Sequence, residues 1–122
     1  MTLAEVKNIL DAEIIVGEDK LTMEINRGFA ADLMSDVLAF AKEGSILLTG
    51  LTNPLVVRTA DTLDLRAIIF VRGKRPAADA IKLANEKNIP LLATRYIMFE
   101  SCGRLFAAGM RGSIHKVGEA QE

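Results

Sequence analysis

The sequence predicts a single α/β domain of three layers, α/β/α, with a mainly parallel core sheet. Two apolar runs, at residues 46–48 and 67–71, lack the alternation of polar and apolar residues that a strand with one wet face shows. A segment of helical period joins them, so residues 45–73 form one strand-helix-strand unit. A third apolar run at residues 89–93 follows another helical segment, and this spacing is typical of right-handed parallel crossovers.

The composition is that of one globular domain without a strong charge bias. The chain has 122 residues, half of them apolar, and a formal net charge of -1. These values are not those of a disordered tail or of a protein that binds nucleic acid by charge. One cysteine cannot form an internal disulfide, and neither a signal peptide nor an apolar run of about 20 residues is visible. We therefore expect a cytoplasmic protein that binds neither membranes nor nucleic acid.

The first half of the chain predicts two helices and two strands before the central unit. Thr2 and Glu5 have the spacing of a capping box, so a helix is expected to begin there and to end near Leu10. Residues 13–16 predict a strand, and the alternation over residues 21–25 predicts a second, together a hairpin or a sheet edge. Residues 28–32 are expected to open a helix with an apolar stripe, which Gly44 ends.

The second half predicts three helices and a tail. Pro54 after Asn53 begins the crossover helix, and Pro76 begins the next one after a basic loop. The last helix, residues 95–109, is apolar nearly all round, which a short chain cannot cover by itself. We therefore expect a homodimer through this helix, by way of Phe99, Cys102, Leu105 and Phe106. Residues 1–110 would then form the domain, and residues 111–122 a loose tail or an arm across the dimer.

Polar and basic residues follow each of the three predicted core strands. In open parallel sheets, ligands bind where the carboxyl ends of strands meet the amino ends of helices. The cations would suit an anionic ligand such as a nucleotide or a phosphorylated metabolite. A solvated basic loop and ordinary helix caps are the alternative that the sequence leaves open. The candidate ligand-binding residues at this edge are Thr49, Gly50, Thr52, Asn53, Arg72, Gly73, Lys74, Arg75, Thr94 and Arg95.

Three further candidates lie near the start of the predicted second helix. Asp32 and Asp36 stand four residues apart with Ser35 between them, an arrangement that could bind a cation or receive a phosphoryl group. Acidic residues in a first helical turn are also expected from the helix dipole alone, and this simpler explanation is favoured. Cys102 is expected to be a small buried apolar residue, and His115 lies in the predicted tail.

Recognised catalytic motifs are absent from the sequence. Neither G-x-x-x-x-G-K-[ST] nor G-x-G-x-x-G occurs, and no set of cysteines and histidines has the spacing of zinc ligands. We therefore predict no catalytic residue, no bound metal and no cofactor, and we do not expect a self-contained kinase, dehydrogenase or metalloenzyme.

Several segments together resemble a known family. They are residues 28–38, Pro76 with Ala84, residues 89–94, residues 99–100 and residues 103–105. On these segments, which cover most of the chain, it resembles the short stand-alone branch of the DRTGG-domain family. That family includes the module beside the P-loop-type domain of some phosphotransacetylases and is related to the N-terminal domain of HPr kinase/phosphorylase. The resemblance implies regulatory ligand binding. It implies no kinase activity, because kinase chemistry resides in a P-loop domain that these residues do not contain.

The family's own signature differs in this chain. Where longer members have Gly-Asp-Arg after the first core strand, this sequence has Gly50, Leu51 and Thr52, and Thr-Gly-Gly after the second strand is replaced by residues 71–73. A ligand role tied to the Asp-Arg pair is therefore not carried over. Three hypotheses follow: a non-catalytic module for an anionic ligand, an interaction or assembly domain without a small ligand, and, least favoured, an enzyme that uses Asp32, Ser35 and Asp36.

Overall fold

A computed structural model describes residues 1–118 and confirms the three-layer α/β/α fold. The strands, in chain order, are β1 (Glu13–Val16), β2 (Arg27–Ala30), β3 (Ile46–Thr49), β4 (Ala67–Phe70), β5 (Leu91–Ala93) and β6 (Arg111–Gly112). The α-helices are α1 (Leu3–Ile9), α2 (Met34–Phe40), α3 (Pro54–Thr62), α4 (Ala78–Lys87) and α5 (Met98–Ala107). Residues 18–20 form one 3-10 turn.

The six strands form one sheet in the order β1-β5-β4-β3-β2-β6, and every pairing except β1 with β5 is parallel. The central strands β3, β4 and β5 are buried along their whole length, as the continuous apolar runs predict. Alternate residues point to opposite faces: Leu47 and Ile68 pack under α2, α3 and α4, whereas Ile46 and Ile69 pack under α1 and α5. The sheet therefore has a core on each side.

The predicted hairpin at the start of the chain is wrong, although residues 13–16 do form a strand at the edge of the sheet. β1 pairs antiparallel with β5, and residues 21–25 form no strand of the sheet. They bond instead to the start of the chain, where the amides of Leu3 and Ala4 donate to the carbonyls of Met23 and Leu21, both over 2.9 Å. The alternation of Leu21, Met23 and Ile25 arises because these side chains pack against the α1 and α5 side of the core. A period of two reports which side is buried, and a loop held across a core surface can show it as well as a strand.

The predicted helix start at Gly28 is also wrong, because residues 27–30 form β2, parallel to β3. This strand is too short to show a pattern distinct from the helix that follows it at Met34. Gly28 lies close under the loop after α5, where a Cβ would stand 3.2 Å from Sδ of Met110. Two other helices begin later than expected, at Ala78 and Met98.

The segment predicted as a tail or arm begins with an edge strand of the sheet. Arg111 and Gly112 form β6, which pairs with β2 at the sheet edge, and the Ser113 amide donates to the Gly28 carbonyl over 2.9 Å. Residues 119–122, the end of that predicted tail, lie outside the described residues.

Helix α5 leaves much of its apolar surface uncovered. Phe99 is 84% exposed and Phe106 60%, whereas Leu105 is only 3% exposed and packs inside the domain. Leu105 is therefore not available to the dimer surface predicted from the sequence, because α5 points this side chain at the sheet. None of the helices within residues 1–118 has the length and apolar character that crossing a bilayer requires.

Candidate anion-binding site

Four loops meet at the carboxyl edge of the parallel strands. They follow β2, β3, β4 and β5, and they carry most of the residues singled out in the sequence. The loop after β2 enters this group because residues 27–30 form a strand, which places Asp32 at the same edge as Thr49 and Arg72.

The side chain of Asp32 is the centre of a polar cluster. Its Oδ1 accepts a 2.7 Å hydrogen bond from the Gly50 amide and a 3.1 Å hydrogen bond from the Thr49 hydroxyl. Its Oδ2 lies 3.8 Å from Nη2 of Arg72, and both side chains are about half exposed, 49% for Asp32 and 46% for Arg72. An ion pair of this length and exposure is weak. The cluster thus combines two buried donors with one partly solvated cation.

The Arg72 backbone is held in an unusual conformation. Its φ is 63°, in the left-handed region that side chains other than glycine rarely adopt. Its amide donates to the Tyr96 carbonyl over 2.9 Å, and the next amide, of Gly73, donates to the Thr94 carbonyl over 3.0 Å. These two bonds join the loop after β4 to the loop after β5. The guanidinium of Arg72 lies against the main chain of Gly50. Strained residues of this kind often mark functional loops.

Thr94 lies at this edge, but its hydroxyl has a structural role. The side chain is buried, donates over 2.6 Å to the Leu10 carbonyl and accepts from the Tyr96 amide over 3.2 Å. The hydroxyl thus uses its one donor hydrogen and one acceptor lone pair within the fold. Thr94 thereby joins the end of α1 to the loop after β5. A role in ligand binding remains a prediction.

The remaining cations divide into paired and unpaired groups. Arg75 forms a bidentate pair with Glu13 on β1, at 2.9 and 3.1 Å, and this hydrogen bonding holds the pKa of the Glu13 carboxyl below its usual range. Within residues 1–118, the side chains of Lys74 and Arg95 form no ion pair. Arg95 lines a cleft of about 350 Å³ with Arg75, Glu13, Gly73 and Asp11, so the cations here share the space with two acids.

The other predicted residues have local roles in the fold. The Asn53 side chain caps α3 by accepting from the Leu55 amide over 3.0 Å, and the Thr52 carbonyl accepts from the Ala77 amide over 2.9 Å. Ser35 and Asp36 are exposed on the first turn of α2 and do not join the Asp32 cluster. The part of the chain that the structure describes contains no cluster of histidine, cysteine and acidic residues able to hold a metal ion.

A large surface cleft lies at the opposite edge of the sheet. It has a volume of about 730 Å³ and is lined by the segments that enter β3, β4 and β5, among them Asp64, Arg66 and Asn88. The helices present their carboxyl ends there, which does not favour an anion. Lys87 is already within 3.6 Å of Asp61 in this cleft. Size alone therefore does not make it the better candidate for an anionic ligand.

Sequence reasoning missed Glu13 and Tyr96 as members of this edge. Glu13 reaches Arg75 only because β1 pairs with β5, a pairing that no local pattern indicates. Tyr96 contributes its carbonyl to Arg72, and its ring lies under the guanidinium of Arg104 at 4.1 Å. The sequence also provides no sign of an apolar cavity of about 170 Å³ between α5 and β2. Its lining includes Phe29, Leu48, Cys102, Phe106 and Met110.

The architecture defines a small α/β domain whose parallel sheet presents a polar edge to solvent. The chain belongs to the DRTGG domain family, because the family profile matches residues 5–108. No curated protein sequence matches the chain. It is similar in fold to the crystal structure of the CBS and DRTGG domains of the regulatory region of Clostridium perfringens pyrophosphatase, complexed with the activator diadenosine tetraphosphate. The TM-score is 0.71 at 21% identity; the match covers 85% of this chain and 45% of that chain, so the chain spans less than half of its length.

Proposed function

We propose that this chain is a non-catalytic regulatory module that binds an anionic ligand of the nucleotide or phosphorylated-metabolite class at the edge formed by Thr49, Gly50 and Arg72. The observation that carries the proposal is the convergence of an amide, a hydroxyl and a guanidinium on one carboxylate oxygen pair. These are the donors that bind phosphate and carboxylate groups. No residue is assigned to chemistry.

The family supports the proposal without deciding the ligand. The DRTGG domain of the pyrophosphatase lies in a regulatory region that was crystallised with a nucleotide activator, diadenosine tetraphosphate. Regulation by a nucleotide is therefore a reasonable first hypothesis for this chain. Lys74 and Arg95, which form no ion pair within residues 1–118, would add attraction for further phosphates of an extended ligand.

Ligand-induced stabilisation tests the proposal directly. Diadenosine tetraphosphate, ATP, inorganic pyrophosphate and a set of sugar phosphates are added to the wild-type chain and to the Arg72→Ala variant, and the melting temperature and heats of binding are measured. Binding raises the melting temperature by mass action, and we expect Arg72→Ala to abolish the rise. Arg58→Ala, which removes an exposed cation from α3, is the matched control and should keep it. If no compound stabilises the wild-type chain, the proposal is wrong.

We propose assembly into a homodimer as a second function, because the outer face of α5 is apolar and uncovered. Phe99, Cys102 and Phe106 follow each other at helical spacing, and Phe99 and Phe106 are both more than half exposed. Cys102 and Phe106 also line the apolar cavity under α5. A second copy packing on this face would bury both aromatic rings.

The molar mass in solution distinguishes a dimer from a monomer. Light scattering after gel filtration should give a dimer for the wild-type chain and a monomer for a variant with Phe99→Ser and Phe106→Ser. Leu38→Ser is the control, since Leu38 is also about half exposed but lies on α2. A wild-type chain that is monomeric at every concentration would refute the dimer.

A further inference from the structure

We propose that Asp32 is an internal occupant of the anion site, and that a ligand binds by displacing the Asp32 carboxylate with its own terminal phosphate or carboxylate. This inference rests on the proposed function and adds the chemical group that the site accepts and the residue that sets its affinity. One ligand oxygen would take the place of Oδ1, facing Gly50 and Thr49, and another the place of Oδ2, facing Arg72.

The donors require an acceptor whether or not Asp32 supplies it. Thr49 and Gly50 are both buried, and a buried amide or hydroxyl without a partner is costly. The Thr49 hydroxyl oxygen also accepts from the Leu51 amide over 3.2 Å, which helps to orient its proton toward Asp32. The Gly50 amide and the Thr49 hydroxyl therefore form a binding position for one acceptor oxygen, and Oδ1 of Asp32 occupies it.

Asp32 holds that position loosely. It belongs to the loop between β2 and α2, its side chain is about half exposed, and its only cationic partner in residues 1–118 is Arg72 at 3.8 Å. The N-cap of α2 is Leu33, so Asp32 does not cap the helix. A side chain on a surface loop can turn toward water, whereas the Gly50 amide is fixed by the strand that precedes it. Exchange of the carboxylate for an external anion therefore leaves the donors in place.

The negative charge of Asp32 works against an external anion. A bound phosphate and the Asp32 carboxylate would compete for the same donors and repel each other across a few ångströms. Removing the carboxylate should tighten binding, which is the opposite of what a residue that contacts the ligand favourably would show.

Binding of inorganic pyrophosphate and ATP to single variants tests the inference by calorimetry. We expect Asp32→Ala to bind about tenfold more tightly than the wild type, since it removes both competitor and repulsion. Asp32→Asn, which keeps an acceptor but not the charge, should lie between them. Asp36→Ala, an exposed acidic residue of α2, is the matched control and should leave affinity unchanged. Arg72→Ala should weaken binding in both backgrounds.

The outcomes separate this inference from the proposed function. If the wild type binds with dependence on Arg72 but Asp32→Ala binds equally or less tightly, only the internal-occupant role is overturned. If neither the wild type nor Asp32→Ala binds either probe, both proposals fail for these anions. An independent readout is the amide resonance of Gly50, which should shift in Asp32→Ala and move back toward its wild-type position as pyrophosphate is added. A resonance that pyrophosphate does not move would overturn the inference.

Discussion

The guanidinium of Arg72 packs directly on the α-carbon of Gly50. A Cβ built at residue 50 would lie 2.8 Å from Cζ of Arg72 and 2.9 Å from its Nε, inside the distance that carbon atoms normally keep. The glycine is therefore needed for the position of the arginine and not for an unusual backbone angle. This contact links the loop after β3 to the loop after β4.

Gly50→Ala should move Arg72 without unfolding the domain. The atoms in the way belong to the end of a flexible side chain, so we expect a change in the free energy of unfolding of about 1 kcal/mol or less. Anion binding should fall as it does in Arg72→Ala. A double variant with both changes should be no weaker in binding than Arg72→Ala alone, because the two act through one contact. Additive losses would show that Gly50 acts by another route.

The Arg72→Gly variant should be more stable than the Arg72→Ala variant. At a φ of 63°, a side chain costs about 1 kcal/mol that glycine does not. We therefore expect Arg72→Gly to exceed Arg72→Ala in unfolding free energy by about that amount, measured by urea denaturation. Asn88, at a φ of 57° after α4, offers a matched comparison, and Asn88→Gly against Asn88→Ala should show the same sign. Equal stability of the two Arg72 variants would argue against strain there.

Thr94→Val should destabilise the domain although its shape is nearly unchanged. The substitution leaves the Leu10 carbonyl and the Tyr96 amide without the hydroxyl that joins them, at a cost of about 1–3 kcal/mol. Thr94→Ser keeps the hydroxyl and should cost less. Thr59→Val is a second control, because the Thr59 hydroxyl bonds to the Leu55 carbonyl, which the ladder of α3 also uses. A Thr94→Val variant as stable as wild type would show that water replaces the hydroxyl.

Glu13→Gln should change stability in a way that depends on pH. The hydrogen bonds from Arg75 lower the pKa of Glu13 in the folded chain, so the carboxylate contributes stability above its ordinary pKa. That contribution is lost as the pH falls through the folded-state pKa. The wild type should therefore be slightly more stable than Glu13→Gln at neutral pH, and the urea midpoints should converge in acid. In an Arg75→Ala background, the pH-dependent difference should disappear.

Cys102 should react slowly with an alkylating reagent. Cys102 is partly buried rather than fully buried as the sequence predicts. Partial burial in the wall of the apolar cavity raises the pKa of its thiol, so less thiolate is present at neutral pH than in the unfolded chain. Mass spectrometry should show slow modification by iodoacetamide in buffer, faster modification at alkaline pH and rapid modification in urea. Rapid modification in buffer at neutral pH would contradict the burial of this side chain.

The sequence by itself determined the central strands, the capped helices and the family. Continuous apolar runs, the capping box at Thr2 and the Asn53-Pro54 helix start are local signals, and each acts through residues within a few positions of it. Residues 21–25 and 28–32 were misassigned because a short segment that packs on a core shows the same periodicity in several conformations.

Only the tertiary structure decided which side chains meet at the carboxyl edge. Asp32 reaches Gly50 because β2 lies beside β3, Glu13 reaches Arg75 across 62 residues because β1 pairs with β5, and Thr94 reaches Leu10 across 84. The pairings of β2 and β1 set the first two contacts, and the packing of α1 on the sheet sets the third. All of these depend on packing among distant segments, and no local pattern in this sequence indicates them. The polar residues of the edge, and Asp32 as a separate candidate, could thus be predicted, whereas the place of Asp32 at the centre of the edge could not.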